Sequence, residues 1–163
     1  MNNMVEVGDT VRDVITGFTG IVKVVVRWHH ACNRIIVQPR DLEDKKANYV
    51  QATHTFDEPE IEILQKKTIV LSVTPETTNL KIGDLVKDTY TPFQGKIAGF
   101  AEYLNGCLRV AVQSPTLKDG KVVEEELFPA SQLELVQEEV NPPVKKTTGG
   151  PMPDPKGPRD PMC

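Results

Sequence analysis

The sequence predicts an all-β chain made of two tandem small barrels. An internal repeat is the first observation behind this. The stretch Gly8-Asp9-Thr10-Val11-Arg12-Asp13, with Thr16-Gly17-Phe18-Thr19-Gly20 after it, returns 75 residues later as Gly83-Asp84-Leu85-Val86-Lys87-Asp88 and Thr91-Pro92-Phe93-Gln94-Gly95. A repeat of this kind sets the architecture before any local assignment. The second observation is that each copy carries about five short β-branched runs separated by closely spaced turn signals, the pattern of a small closed or half-open barrel. The third is that no stretch shows the 3.6-residue apolar period of an amphipathic helix.

The repeat continues past its opening motif. Trp28 aligns with Tyr103, Cys32 with Cys107, Arg34 with Arg109 and Val37-Gln38 with Val112-Gln113; between Val5 and Gln38, 11 of 34 positions are identical. The 163 residues therefore divide into a first unit at 5–64, a β-forming connector at 65–79, a second unit at 80–136 and an extended Pro/Gly-rich arm at 137–163. Units of about 60 residues bury only about 60% of their unfolded surface and are marginal alone. The two copies are expected to lean on each other or on a partner.

Taken in order, Val11–Val14 reads as a short strand after a Gly8-Asp9 turn. Thr16–Gly20 is turn chemistry, with glycine free to take positive φ and threonine able to bond the local backbone. Ile21–Trp28 is the strongest strand in the chain, β-branched almost throughout. His29–Asn33 is a turn whose counterpart contains Asn105-Gly106, a strong hairpin signal. Arg34–Gln38 is the next strand, closed by Pro39, and Arg40–Asn48 is a polar loop. The segment ending Phe56–Leu64, like Phe128–Val136, suits one 3₁₀ turn followed by a last strand. Thr68–Val73 is too apolar for a free linker and is expected to be a strand packed on one barrel or across both. From Gln137 onward prolines and glycines dominate, so this arm builds no core of its own.

Net charge is −4, and neither copy is basic, which argues against a surface that works by neutralising phosphates. No apolar run approaches the roughly 20 residues that span a bilayer. The N-terminus has neither the basic region nor the apolar core of a signal peptide. Three cysteines make no disulfide scaffold, and a reducing compartment is the default.

Several constellations resemble sites. Asp9 with Asp13, and Asp84 with Asp88, are four apart; on a strand that is about 13 Å, too far for an acid–base pair, so the aspartates are read as acceptors for turn backbone. His29-His30 with Cys32, and His54 further on, are metal-ligand types, but copy two has Leu104 and Asn105 at the histidine positions. They are read as solvated hairpin residues and no metal is expected. Cys32 and Cys107 are read as small buried apolar side chains, with a mutual disulfide as the alternative; Cys163 ends the arm and is a candidate for an intermolecular disulfide. No nucleophile elbow, phosphate loop or dinucleotide fingerprint occurs, so no catalytic residue and no cofactor are expected. Trp28 and Tyr103, with Arg34 and Arg109 near them in sequence, are the candidate binding residues, either lining grooves or serving as core and cross-strand ion pairs with Asp13 and Asp88.

The Gly-Asp-x-Val-x-Asp motif, Thr-Gly-Phe-x-Gly, Leu104-Asn105-Gly106-Cys107, the Val-Gln pairs and the final Gln132-Leu133-Glu134 together resemble a group of small tailed-phage and prophage proteins. The opening turn is also similar to SH3-like and KOW-like barrels. Copy two matches better; copy one departs at His29-His30-Ala31. The resemblance implies two tandem SH3-like barrels and a non-enzymatic virion protein, a decoration or minor head or tail component. Its partners would be other virion proteins or itself, without nucleic acid or membrane. The alternative is a soluble binding protein of the infected host cytoplasm that inhibits a host factor or sequesters a small anion near Arg34/Trp28 and Arg109/Tyr103. Nucleic-acid binding through KOW-like barrels is disfavoured by charge.

Overall fold

The computed structural model describes residues 4–44, 46 and 49–136. The arm at 137–163, and with it Cys163, lies outside the described residues. Copy one contributes β1 (Thr10–Asp13), β2 (Thr19–Trp28), β3 (Arg34–Gln38), β4 (Leu42–Asp44), β5 (Tyr49–Val50), β6 (His54–Asp57), a 3₁₀ turn at Glu58–Glu60 and β7 (Ile61–Gln65). Copy two repeats the series as β8 (Leu85–Asp88), β9 (Gln94–Tyr103), β10 (Leu108–Gln113), β11 (Leu117–Lys118), β12 (Lys121–Val122), β13 (Glu126–Pro129), a 3₁₀ turn at Ala130–Gln132 and β14 (Leu133–Leu135). The described residues are all-β, as the sequence predicts.

Within copy one the strands run β7-β1-β2-β3-β6, and within copy two β14-β8-β9-β10-β13, every pair antiparallel. Among the described residues no ladder joins β6 to β7 or β13 to β14, so each five-stranded sheet stays open. The side-chain alternation explains the placement. In β1, Val11 and Asp13 point inward and Arg12 outward; β8 repeats this with Val86, Asp88 and Lys87. Each sheet curls over its own core. Val11, Val22, Val25, Ile35 and Val37 fill the first, flanked by Phe18 and Phe56. Val86, Ile97, Val110, Val112 and Leu133 fill the second, flanked by Phe93 and Phe128. Each fully buried valine or isoleucine contributes about 1.5–3 kcal/mol. Gly20 and Gly95 mark the curl, because a Cβ at either would overlap the carbonyl of Gln38 or Gln113.

The ten-residue strands β2 and β9 are long because each serves two partners on one edge. Thr19–Ile21 pair with β1, whereas Val24–Trp28 pair with β9. Gln94–Lys96 likewise pair with β8, and Gly99–Tyr103 with β2. The register of this seam is Val24 with Tyr103, Val25 with Glu102, Val26 with Ala101, Arg27 with Phe100 and Trp28 with Gly99. Val26 thus faces Ala101, its own repeat counterpart, and every other pair is mirrored about that point. The flanking hydrogen bonds obey the same rule: His29 N–H donates to Ala98 O at 2.9 Å, and its counterpart Leu104 N–H to Lys23 O at 2.7 Å. The copies meet as an isologous pair, the geometry of a two-fold dimer, and merge into one ten-stranded sheet.

Two expectations need correction. Thr68–Val73 is not a strand: the connector joins no ladder. Both edges of β1 are already taken by β2 and β7, so the connector crosses the seam instead. It makes isolated backbone bonds, Ile69 N–H to Gly8 O in copy one and Glu76 N–H to Gly106 O in copy two. The polar loop at 40–48 is also more regular than expected, because β4 pairs with β5 just as β11 pairs with β12.

Gly99 fixes how closely the copies approach. A Cβ there would lie 2.6 Å from the Arg27 carbonyl and 2.8 Å from the Trp28 ring. Backbone cannot give way as a flexible side chain does. Gly99→Ala is expected to lower unfolding free energy by about 1–3 kcal/mol, the usual penalty for overpacking, read as a lower urea midpoint.

Candidate functional site

The seam carries the sequence-predicted aromatics Trp28 and Tyr103; Arg34 lies apart from Trp28, whereas Arg109 stays over the Tyr103 ring. Trp28 covers Gly99 and lines a groove of about 510 Å³ with His29, Ala31, Gly83, Lys96 and Ile97. Tyr103 lines the pseudo-symmetric groove, about 560 Å³, with Arg27, Glu102 and the connector residues Ile69–Leu71 and Val73. Arg34 lines neither groove. It pairs with Asp57, its register neighbour on β6, at 3.6 Å, and not with Asp13. Asp13 is buried in its own turn and out of play for an exposed guanidinium. Arg109 sits 6.0 Å from the Tyr103 ring centroid and makes no ion pair with Asp88 among the described residues. Arg27 also lines the Tyr103 groove, held 3.4 Å from Glu102. Arg27 and Glu102 are repeat counterparts, so the pseudo-two-fold sets opposite charges against each other where two identical copies would set like charges.

The aspartates do what turn chemistry requires. Asp13 Oδ2 accepts Thr16 N–H at 2.7 Å and the Thr16 hydroxyl at 2.5 Å. Asp88 Oδ2 accepts the same pair from Thr91 at 2.9 and 2.6 Å. Asp13 is 2% exposed and Asp88 4%. The Thr16 hydroxyl, and then the Thr16 and Ile15 N–H groups, hold the Asp13 carboxyl below its ordinary pKa of 3.8 although burial pushes it up. For Asp88 the Thr91 hydroxyl leads, burial opposes, and Gln132 with the Tyr90 and Thr91 N–H groups adds to the lowering. The copies differ at one atom. Asp88 Oδ1 accepts Gln132 Nε2 at 2.8 Å, whereas Asp13 Oδ1 is buried without a partner. The residue at the Gln132 position of copy one is Glu60, which as a carboxylate has nothing to donate.

These anchored turns display what the sequence reading missed. Ile15 is 71% exposed at the tip of the first turn, and its counterpart Tyr90 80% at the tip of the second; Val14 beside Ile15 is also exposed. A large apolar residue between a turn-forming Asp and Thr, in both copies, was the available signal. A solvated turn has no structural need for it.

The remaining candidates disperse. His54 meets the Phe18 ring edge-on at 4.8 Å, and His29 stacks obliquely on His30. No group of three or more His, Cys, Asp or Glu side chains that could hold a metal occurs among the described residues. Cys32 and Cys107 were expected to be buried. Both are exposed free thiols, because they sit where β2 and β9 have run past their cores into the hairpin connections. No helix among the described residues is long and apolar enough to cross a membrane. No family model matches the chain, and no curated protein or solved structure matches it either.

Two predictions rest on the turns. A carboxylate whose folded pKa is lowered adds stability that is present above its unfolded pKa and is lost as pH falls through the folded value. Stability should therefore drop as pH falls below about 4, with Thr16→Val and Thr91→Val each lowering neutral-pH stability and flattening the acid limb of a pH series of chemical denaturation. Glu60→Gln should give Asp13 Oδ1 the donor that Asp88 already has. A rise in Tm of a few degrees, on the order expected for one added buried hydrogen bond, is the calorimetric result, and Gln132→Glu should lower Tm comparably.

Proposed function

We propose that this chain is a non-enzymatic structural protein of a tailed-phage particle, a decoration or minor head or tail component that binds neighbouring subunits. The observation that carries this reading is the matched display of Ile15 and Tyr90 on turns locked by buried aspartates. Exposed apolar side chains on rigid, preorganised supports lose little conformational entropy on binding, which favours protein contacts. In the Tyr103 groove, by contrast, the charged side chains are engaged with one another, Arg27 with Glu102 and Lys67 with Glu6. The five-strand order with a 3₁₀ turn before the last strand suits SH3-like barrels, and the acidic balance disfavours nucleic acid as partner. The Pro-rich composition of the arm at 137–163 suits a second means of contact, since proline lowers the entropy lost when a segment docks in extended form. The virion is the corresponding location.

The alternative, a soluble protein that sequesters an anion near Arg34/Trp28 and Arg109/Tyr103, has less support. Arg34 is engaged by Asp57 and lies outside the Trp28 groove.

Ile15→Ser with Tyr90→Ser is expected to leave Tm within a few degrees, as exposed substitutions do, and to reduce incorporation into gradient-purified particles at least about tenfold, the effect of losing about 1.4 kcal/mol of contact energy. Quantitative mass spectrometry of those particles reads the result. Wild-type protein abundant in infected-cell lysate but missing from particles would refute the virion role.

A further inference from the structure

The two seam grooves are equivalent by symmetry, yet among the described residues only one is crossed by chain. After β7 the connector passes over Gly8, whose φ of +88° and missing Cβ let the Ile69 carbonyl lie directly against it. It then runs past Tyr103 to Gly106, where Val73, Thr74 and Pro75 pack. The counterpart of Gly8 is Gly83, with φ of +90°, and no described residue lies within 4 Å of the position its Cβ would take. Beyond it no described residue crosses the Trp28 groove.

The segment that follows β14 stands to copy two as the connector stands to copy one. The 3₁₀ turns and last strands of the two copies are offset by 72 residues, Ile61 matching Leu133. Carried forward, that offset sets Lys66-Lys67-Thr68-Ile69-Val70-Leu71 against Glu138-Glu139-Val140-Asn141-Pro142-Pro143. Several contacts made by the connector then have counterparts; the exception is the 3.0 Å pair of Lys66 Nζ with Asp9, which Glu138 and Asp84 do not reproduce. Lys67 Nζ pairs with Glu6 at 2.9 Å, and Lys66 approaches the same carboxylate at 3.9 Å. Lys81 occupies the Glu6 position, facing Glu138 and Glu139, so the charges are exchanged. The Thr68 hydroxyl bonds the Thr10 hydroxyl at 2.6 Å. The counterparts are Val140 and Leu85, so a polar pair becomes an apolar one. Asp9 accepts the Lys67 N–H at 2.9 Å, and Asp84, the matching acceptor, holds only the Lys81 N–H among the described residues. Ile69 N–H donates to Gly8 O; Asn141 keeps an N–H for Gly83 O. Pro142 and Pro143 have none, and they fall where Val70 and Leu71 donate no hydrogen bond among the described residues. The residue before a proline favours extended backbone.

We infer that residues 138–144 of this chain dock across copy two of the same molecule, over Gly83 and into the groove lined by Trp28, as residues 66–72 dock across copy one. The occupant is the chain's own segment, chosen by its direct continuity with β14 and by charge and polarity complementary to Lys81 and Leu85. Only the residues beyond 144 are then left to reach another molecule. This assignment does not rest on a particle role and is tested without particles.

The test is amide hydrogen exchange by NMR on the full-length chain, with emission of Trp28, the only tryptophan, as a second readout. Val140 and Asn141 amides are expected to exchange at least about tenfold more slowly than free peptide, the factor set by a docking equilibrium of about 1.4 kcal/mol. Lys81→Glu should remove that protection and shift Trp28 emission, and Glu138→Lys with Glu139→Lys added to it should restore both. Asn141→Pro should undock the segment by deleting the N–H aimed at Gly83. Lys81 is exposed, so amides of both cores report that each variant stays folded. Exchange at free-peptide rates would overturn the inference, and so would protection indifferent to Lys81→Glu and Asn141→Pro. Protection that grows with protein concentration alongside dimer sedimentation would put the segment on a second copy and overturn it too.

Discussion

The ladder between β2 and β9 is the constraint on which the rest of the structure depends. Each copy is near the size at which a single apolar core barely offsets chain entropy. By pairing the second half of each long strand with its own counterpart, the chain removes what would be two exposed edges, a recognised hazard for β proteins. The close approach at Gly99, the stacking of Trp28 over it and the two grooves flanking the seam all follow from that register. So does the path of the connector, which must bridge the copies and can do so without joining a sheet.

The second recurrent device is local. An aspartate at the end of β1 or β8 turns inward and gathers the turn that follows, and a matched pair of phenylalanines closes over each core, Phe18 on Phe56 and Phe93 on Phe128. The surface pairs recur as well: Arg12 bonds Glu62, and Lys87 bonds Glu134. Among the differences between the copies are changes of charge or polarity where they face each other or the chain that crosses them: Arg27 against Glu102, Glu6 against Lys81, Thr10 against Leu85. Divergence at those positions distinguishes one half from the other while leaving the scaffold the same.

The class of fold and the turn role of the aspartates were legible in the sequence, because both are written in local pattern. Period-two alternation, turn residues and a repeat need no knowledge of distant neighbours. The seam was not legible. Ile21–Val26 is apolar on both faces and reads as a strand whatever lies beside it, and nothing in it says that its second half changes partner. The Arg34 partner was missed for the same reason, since Asp57 reaches it only through the register of β3 and β6. Burial of Cys32 and Cys107 was inferred from residue type, which fails where strands outrun their core. Thr68–Val73 has the composition of a strand but no free edge to join. Ile15 and Tyr90 were passed over because a turn explained the residues on either side of them.

An isologous seam inside one chain also governs how the molecule behaves when it opens. Because β2 can pair with β9 of any copy, a parted seam invites exchange of halves between chains, the route by which domain-swapped dimers arise. The connector opposes this by tethering. A short tether holds its two ends at an effective concentration on the order of millimolar, so reclosing within the chain outruns exchange at ordinary protein concentrations. Lengthening residues 66–79 would weaken that bias without touching a single contact in the sheet.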